Sequence, residues 1–387
     1  MFADRTNWNL TPNRLSEALD RHRASGRTLL DLSASNPTEC GFQYASHAIM
    51  RALCSPRTIE YRPDPNGLEI ARRAVSNYYA EKNRRVLLDK TVLTTSTSEG
   101  YSFILRLICN PGDELLVPTP SYPLFDFLAE IQDVRLKRYP LIYDHGWQID
   151  LHALEQEITE RTRGVIVVHP NNPTGQFTKA GEMDFINRLC VRRGMAIIAD
   201  EVFLDFPLAP EAPLSFCANQ EALTFTMSGL SKISGLPQMK LAWIVVSGPE
   251  DLKHQAMARL ELIADTYLSL NAPVQLAAPV FLEMRHGFQQ QVMQRLRANL
   301  AELDRQLAAQ PHCSRLEVEG GWYAVVRVPA TGSDEDLALE LLEQKNVYVH
   351  PGHFYDFQQE GHLVVSLITP ESEFAEGVQR LLAMDSH

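Results

Sequence analysis

VIVVHPNNPTG, residues 165–175, runs four apolar, β-favouring residues into an Asn–Pro turn that ends on a glycine suited to positive φ. The same grammar recurs on either side. ELLV (114–117) leads into PTPSY, and AIIA (196–199) leads into DEVF. A further apolar run, LAWIVV, spans 241–246. Helical periods lie between them, at Leu68 to Lys82 and in GYSFILRLI (100–108). Short apolar runs alternating with helices point to a parallel sheet covered on both faces. Ligands of such sheets gather where the strands end, which is where the polar segments stand.

Outside this region the texture changes. A helix is expected from Arg14 to Arg23 and a short strand at Leu29 to Leu32. Beyond residue 280 one long helical stretch, FLEMRHGFQQQVMQRLRANLAELDRQLAAQ, precedes a strand, WYAVVRV. A helix at Asp334 to Gln344 and the segments NVYVHPG and HLVVSLI follow. The expected organisation is an α/β large domain at 46–280 and a smaller α+β domain built from 1–45 and 281–387.

Composition narrows the function. The chain has 387 residues, with 48 acidic against 36 basic side chains and a net charge of -12. A nucleic-acid surface needs a basic face, so none is expected. The six cysteines form no CxxC pair, which reads as free thiols in a reducing compartment, with no zinc site and no other metal expected. MFADRTNWNL lacks the pattern of a signal peptide, and no apolar run reaches the ~18 residues of a membrane span. The expectation is a cytoplasmic enzyme acting on small molecules.

Three residues stand out by chemistry. Asn172 is the amide of the Asn–Pro turn. Asp200 ends its strand, where it could cap a helix or face a pyridinium nitrogen, keeping that ring protonated as an electron sink. Lys232, in SGLSKISGLPQMK (228–240), has small and apolar neighbours. A lysine so placed loses its proton more easily and can act as an amine nucleophile.

Taken in order, NPTG, Asp200 and Lys232 resemble the class I/II aminotransferase family of fold-type-I pyridoxal-phosphate (PLP) enzymes, over about residues 29 to 380. The resemblance implies PLP as cofactor and Lys232 as its Schiff-base and proton-transfer residue. It makes Asp200 the pyridinium partner, Asn172 the donor to the phenolate oxygen and Tyr122, in PTPSYP, the ring stacked on the cofactor. Ser96, Thr97 and Ser98, in TTSTSEGYSF, become the phosphate cradle at a helix start. Ser96 with Glu99 also reads as a capping box. Lys240 and, from the second subunit of a homodimer, Tyr61 complete the phosphate site. Asn36, in SNPTECGF, becomes a substrate-pocket residue. The implied reaction moves an amino group from an amino acid to a 2-oxo acid or another carbonyl acceptor. A PLP-dependent lyase or decarboxylase, or a non-catalytic PLP-binding module, would use the same parts.

Several positions depart from the family pattern, among them Gly229, where a serine is usual three residues before the lysine, and the SNPTECGF loop. Ser96 stands for a glycine, Lys240 for an arginine and Phe203 for a tyrosine that bonds the phenolate oxygen. Val364 stands where an arginine clamps the substrate's α-carboxylate. Arg327, Arg62, His350 and His353 are the candidate substitutes; backbone N–H groups with Asn172 are a second way to hold the carboxylate, and a substrate without an α-carboxylate is the third option.

Overall fold

The computed structural model describes residues 1–210 and 213–383. Its centre is an eight-stranded sheet made of β2 (Thr91–Thr94), β3 (Glu114–Thr119), β4 (Arg135–Tyr143), β5 (Trp147–Ile149), β6 (Thr162–Val168), β7 (Ala196–Asp200), β8 (Thr224–Gly229) and β9 (Ala242–Ser247). The spatial order is β2-β9-β8-β7-β6-β3-β4-β5. From β4 through β3, β6 and β7 to β8 all pairings are parallel.

The apolar runs are continuous because both faces are covered. Val165 and Val167 enter one core cluster while Ile166 and Val168 enter another, and Ile197 and Ile198 divide in the same way. A period of two sends successive side chains to opposite faces, so only an unbroken apolar run buries both. Each such side chain contributes roughly 1.5–3 kcal/mol of burial.

LAWIVV departs from the parallel expectation, since β9 pairs antiparallel with both β8 and β2. The segment between β8 and β9 holds only a four-residue helix, Leu230–Ile233, and a 3-10 turn, Pro237–Met239. Neither is long enough to carry the chain back across the sheet, so it reverses. Strand β8, TFTMSG, lacks an apolar run yet is buried throughout.

The smaller sheets hold the chain's two ends. Strand β1 (Leu30–Asp31) pairs parallel with β12 (Val347–Tyr348). Strands β10 (Ser314–Arg315), β11 (Tyr323–Arg327), β13 (His350–Pro351) and β14 (His362–Ser366) form an antiparallel sheet in the order β10-β11-β14-β13. The long helical stretch is two helices, Ala272–Glu283 and Arg285–Leu307, divided at Met284. The buried Arg285 guanidinium donates to the Leu282 carbonyl at 2.5 Å, giving the first helix's open end a partner.

The glycine of the Asn–Pro turn has the expected positive φ, +73°. A Cβ there would lie 2.3 Å from Val318 Cγ2 and 2.7 Å from the Gly320 carbonyl oxygen. The Gly175 carbonyl also accepts from the Glu319 and Gly320 amides, tying the turn to the segment before β11. Gly175→Ala should therefore lower stability by about 2 kcal/mol or more. An unchanged denaturation midpoint would contradict this close approach.

Candidate active site

One edge of the large sheet collects the chemistry. Tyr122 follows the end of β3, Asn172 that of β6, and Lys232 that of β8, while Asp200 ends β7. Strand β2 runs in the same direction, so Ser96, Thr97 and Ser98 leave from the same edge. Strand β9 runs the other way and begins there, which places Lys240 two residues before its start. The edge is where strand carboxyl ends meet helix amino ends.

Asp200 is buried and pairs in register with Met227, five residues before Lys232. Its Oδ2 accepts from the Tyr101 hydroxyl at 3.1 Å and its Oδ1 from the Val202 amide at 3.2 Å. Burial outweighs both bonds and the nearby Lys232, pushing the carboxyl up to about 6. The next residue, Glu201, is also buried and is pushed up to about 7. It accepts from the Ser215 hydroxyl at 2.7 Å and the Phe216 amide at 2.6 Å, which fastens the Asp200 strand end to the 215–216 segment.

Lys232 faces aromatic rings. Its Nζ lies 4.8 Å from the Trp322 ring centre and 5.4 Å from that of Phe203. The two rings meet edge-on at 5.3 Å, and Phe203 touches Tyr323 at 6.2 Å. Cation–π attraction, worth about 0.5–2 kcal/mol, favours the ammonium. Burial opposes it more strongly, and with Asp200 and the Cys40 thiol pulling the other way the amine still falls to about 8. A neutral amine is thus available near neutrality.

The helix Thr97–Ile108 starts on Ser96, whose hydroxyl oxygen accepts from the Glu99 amide at 3.1 Å. Glu99 answers by accepting from the Thr95 amide at 2.7 Å, one residue earlier than the box pattern expects. Among the described residues, the Thr97 and Ser98 amides have no partner. Those amides and the helix dipole make an anion site. Tyr101 stands one turn beyond Thr97, on the face that reaches Asp200. That spacing was a signal in the sequence that chemistry-first reading passed over.

The Asn172 side chain is buried and its Oδ1 has no hydrogen-bond partner. A buried carbonyl oxygen left open this way is ready for a donor from a ligand. Tyr122 is 44% exposed, lies in the field of Asp200 and meets Phe125 edge-on. Lys240 is exposed at a left-handed backbone position with φ 50°, and forms no ion pair among the described residues.

Two expected residues lie apart from this group. Tyr61 is 82% exposed and lines a surface groove with Arg57, Leu268 and Leu270. The Asn36 Oδ1 is engaged locally, accepting from the Thr38 amide at 3.1 Å and the Thr38 hydroxyl at 2.7 Å. That turn delivers Cys40 instead: its buried thiol donates to the Asn36 carbonyl and lies within the field of Lys232. Trp322, Tyr323 and Tyr355 are the other site residues that the sequence did not single out.

The whole-chain comparisons agree with this geometry. Residues 27–381 match the family model for aminotransferases of class I and II. The chain belongs to that family. It is an aminotransferase, and amino-group transfer is favoured over the lyase, decarboxylase and non-catalytic readings. It is similar to an alanine aminotransferase of Mycobacterium tuberculosis, 28% identical over 93% of this chain and 86% of that one. A tyrosine aminotransferase of Mus musculus is 25% identical over 97% of this chain and 87% of its own length. An alanine aminotransferase structure from Pyrococcus furiosus superposes with a TM-score of 0.88 at 23% identity, covering 98% of each chain. That last likeness fixes the fold, fold type I.

Proposed function

We propose that this aminotransferase holds PLP at the carboxyl edge of the large sheet, with Lys232 as the residue that engages its aldehyde. The carrying observation is Asp200 at the end of β7 and Lys232 just beyond the end of the neighbouring β8, each within the other's field, the carboxyl raised to about 6 and the amine lowered to about 8. Environments that push an acid and a base away from their usual values are how a protein readies both for chemistry.

When bound, PLP supplies an aldehyde that takes up amines and a pyridinium ring that draws electrons from the donor carbon. Each protein group has a role toward it. Asp200 holds the positive charge on the ring nitrogen, and Tyr101 fixes the carboxylate that does so. The Asn172 Nδ2 group would donate to the phenolate oxygen, and the Tyr122 ring would stack on the cofactor. Thr97 and Ser98 offer amides to the phosphate, Ser96 its hydroxyl hydrogen, and Lys240 its charge. Lys240 gives a point charge where an arginine would give a fork. Lys232, freed as an amine, carries a proton away from the donor carbon and returns it to the acceptor carbon. Phe203 and Trp322 exclude water from that amine.

The reading extends to a homodimer in which Tyr61 of one subunit reaches the phosphate of the other. Its support is an exposed aromatic beside a groove that includes Arg57. It also includes a cytoplasmic setting, a large unit at 46–280 and a small unit from 1–45 and 281–387. No helix among the described residues is long and apolar enough to cross a membrane. The test is the visible absorbance of purified protein with added PLP, before and after a panel of amino donors. A lysine-dependent band that a donor removes is expected. Absence of any band with PLP present would refute the reading.

Phe203 adds a second expectation. With phenylalanine there, the phenolate oxygen has one donor fewer and stays more basic, so the visible band holds its protonated form to higher pH. Phe203→Tyr should move that transition down by about 1–2 pH units, the equivalent of one hydrogen bond to a charged group. Identical titration curves for the two proteins would remove this role.

A further inference from the structure

Among the described residues, no arginine and no second lysine acts directly on Lys232. The register puts Val364 opposite both Val325 and His350, and Ser366 opposite Tyr323. Directly paired residues share a face, so Val364 stands on the face that carries Tyr323 and His350. Its neighbours there form an aromatic band. Tyr323 touches Phe203 beneath Lys232, and the buried Tyr355 hydroxyl lies 3.1 Å from His350 Nδ1. Val364 is 1% exposed and belongs to the core.

Arg327 lies opposite His362 and so shares the face of Val364, but it is exposed at the far end of β11, over the Tyr143 ring. Arg62 pairs with Glu60 at 3.1 Å on the surface. Arg295 donates to the Cys40 and Ile368 carbonyls at 3.3 and 3.2 Å and lies 3.5 Å from Glu371, while its buried Nε has no hydrogen-bond partner. Burial lowers His350 below its usual value, leaving it neutral near pH 7, and His353 is exposed. The charged groups that act on Lys232, Tyr323 and Tyr355 include neither an arginine nor a second lysine.

A carboxylate brought into such a band loses its water and finds, apart from Lys232 and the Asn172 amide, aromatic rings and the carboxylate of Asp200. Desolvating an unpaired ion costs several kcal/mol, whereas burying a hydrocarbon body is favourable. We infer that the amino donor is a primary amine with no carboxylate on the reacting carbon and with an apolar or aromatic body. This deepens the aminotransferase reading and rests on it. The donor carbon gives up its amino group, one hydrogen and two electrons' worth of reduction, and becomes an aldehyde or ketone. A carbonyl acceptor takes the amino group, is reduced to the matching amine, and yields its oxygen to the donor through water. Both halves use one pocket, so the acceptor is likewise an aldehyde or ketone without an adjacent carboxylate.

The test compares matched donors on the PLP-loaded enzyme: phenethylamine with phenylalanine, and 3-methylbutylamine with leucine. Single-turnover loss of the visible band is followed for each. The amine of each pair should react about 100-fold faster or more at equal low concentration. Faster reaction of the amino acids would overturn the inference while leaving amino-group transfer intact. Equilibrium binding of two unreactive ligands, 3-phenylpropionate and 3-phenylpropanol, gives a second readout by calorimetry. If none of the four donors reacts, the aminotransferase reading of this pocket fails separately, and the ligand pair still decides. Weaker binding of the carboxylate supports its exclusion, and tighter binding overturns it.

Discussion

Lys232→Met should abolish amino-group transfer, lowering kcat/KM by at least about 10⁴-fold, and should at the same time make the PLP-free protein more stable near pH 7. The activity loss follows from removing a group that is both nucleophile and proton carrier, with a positioned base alone worth 10²–10⁴-fold. The stability gain follows from the lysine's surroundings. Burial between Trp322 and Phe203 holds its amine near 8 against 10.5 for the free side chain. Below pH 8 both folded and unfolded chains carry the proton, so the folded state bears the whole burial penalty. Between about 8 and 10.5 the unfolded chain binds more protons, so wild-type stability rises with pH and the penalty vanishes. Methionine keeps the apolar stem and removes the charge, so its advantage is on the order of 1–3 kcal/mol at pH 7 and fades by about pH 10.5. Thermal denaturation of the PLP-free proteins at pH 7 and pH 10 reads this directly. A variant that melts lower than wild type at pH 7 would show that the lysine contributes packing rather than stored charge. Residual turnover above about 1% would exclude Lys232 as the reacting amine.

Asp200→Asn should reduce kcat by about 10²–10³-fold, comparable to losing one preorganised electrostatic contact to developing charge. It should also weaken PLP binding, since the ring nitrogen loses its anion. The pH dependence separates this role from general damage. In the PLP-free protein the Asp200 carboxyl sits near 6, above its ordinary 3.8. A carboxyl raised on folding favours the folded state when protonated, so that stability is full below about 3.8 and is lost as pH rises through 6. A cation seated against Asp200 reverses the loss. The melting-temperature gain on adding PLP should therefore grow between pH 4.5 and 7 in wild type and stay flat in the variant. Glu201, raised to about 7, titrates nearby but is unchanged in both proteins, so the difference between them isolates Asp200. Equal growth in the two would place the cofactor's charge elsewhere.

Much of this site was legible because its residues follow strand ends in chain order. The runs at 114, 165 and 196 are apolar on both faces, and an unbroken apolar run bounded by polar turns has few other uses. Lys232 and Asp200 were legible for a related reason, since an ionisable residue set among apolar neighbours signals chemistry. The β8 strand escaped notice because its threonines and Ser228 bury polar groups that the ladder and neighbouring side chains satisfy. Asn36 shows the opposite failure. Its loop does approach Lys232, but a short polar side chain next to proline closes its own turn first, and the residue delivered inward is Cys40.

The sequence by itself determined which residues sit at the carboxyl edge, because strand length, strand ends and a period of two are local properties of the chain. Only the tertiary structure decided the direction of β9, the pairing of Tyr101 with Asp200 and the aromatic wall of Trp322, Tyr323 and Tyr355. It likewise decided that Val364 shares a face with Tyr323 and His350. These depend on which elements meet in space, Tyr101 and Asp200 standing 99 residues apart, and on the register at which β14 lies against β11 and β13. A one-residue slip would turn Val364 to the opposite face, and nothing local in HLVVSLI forbids it.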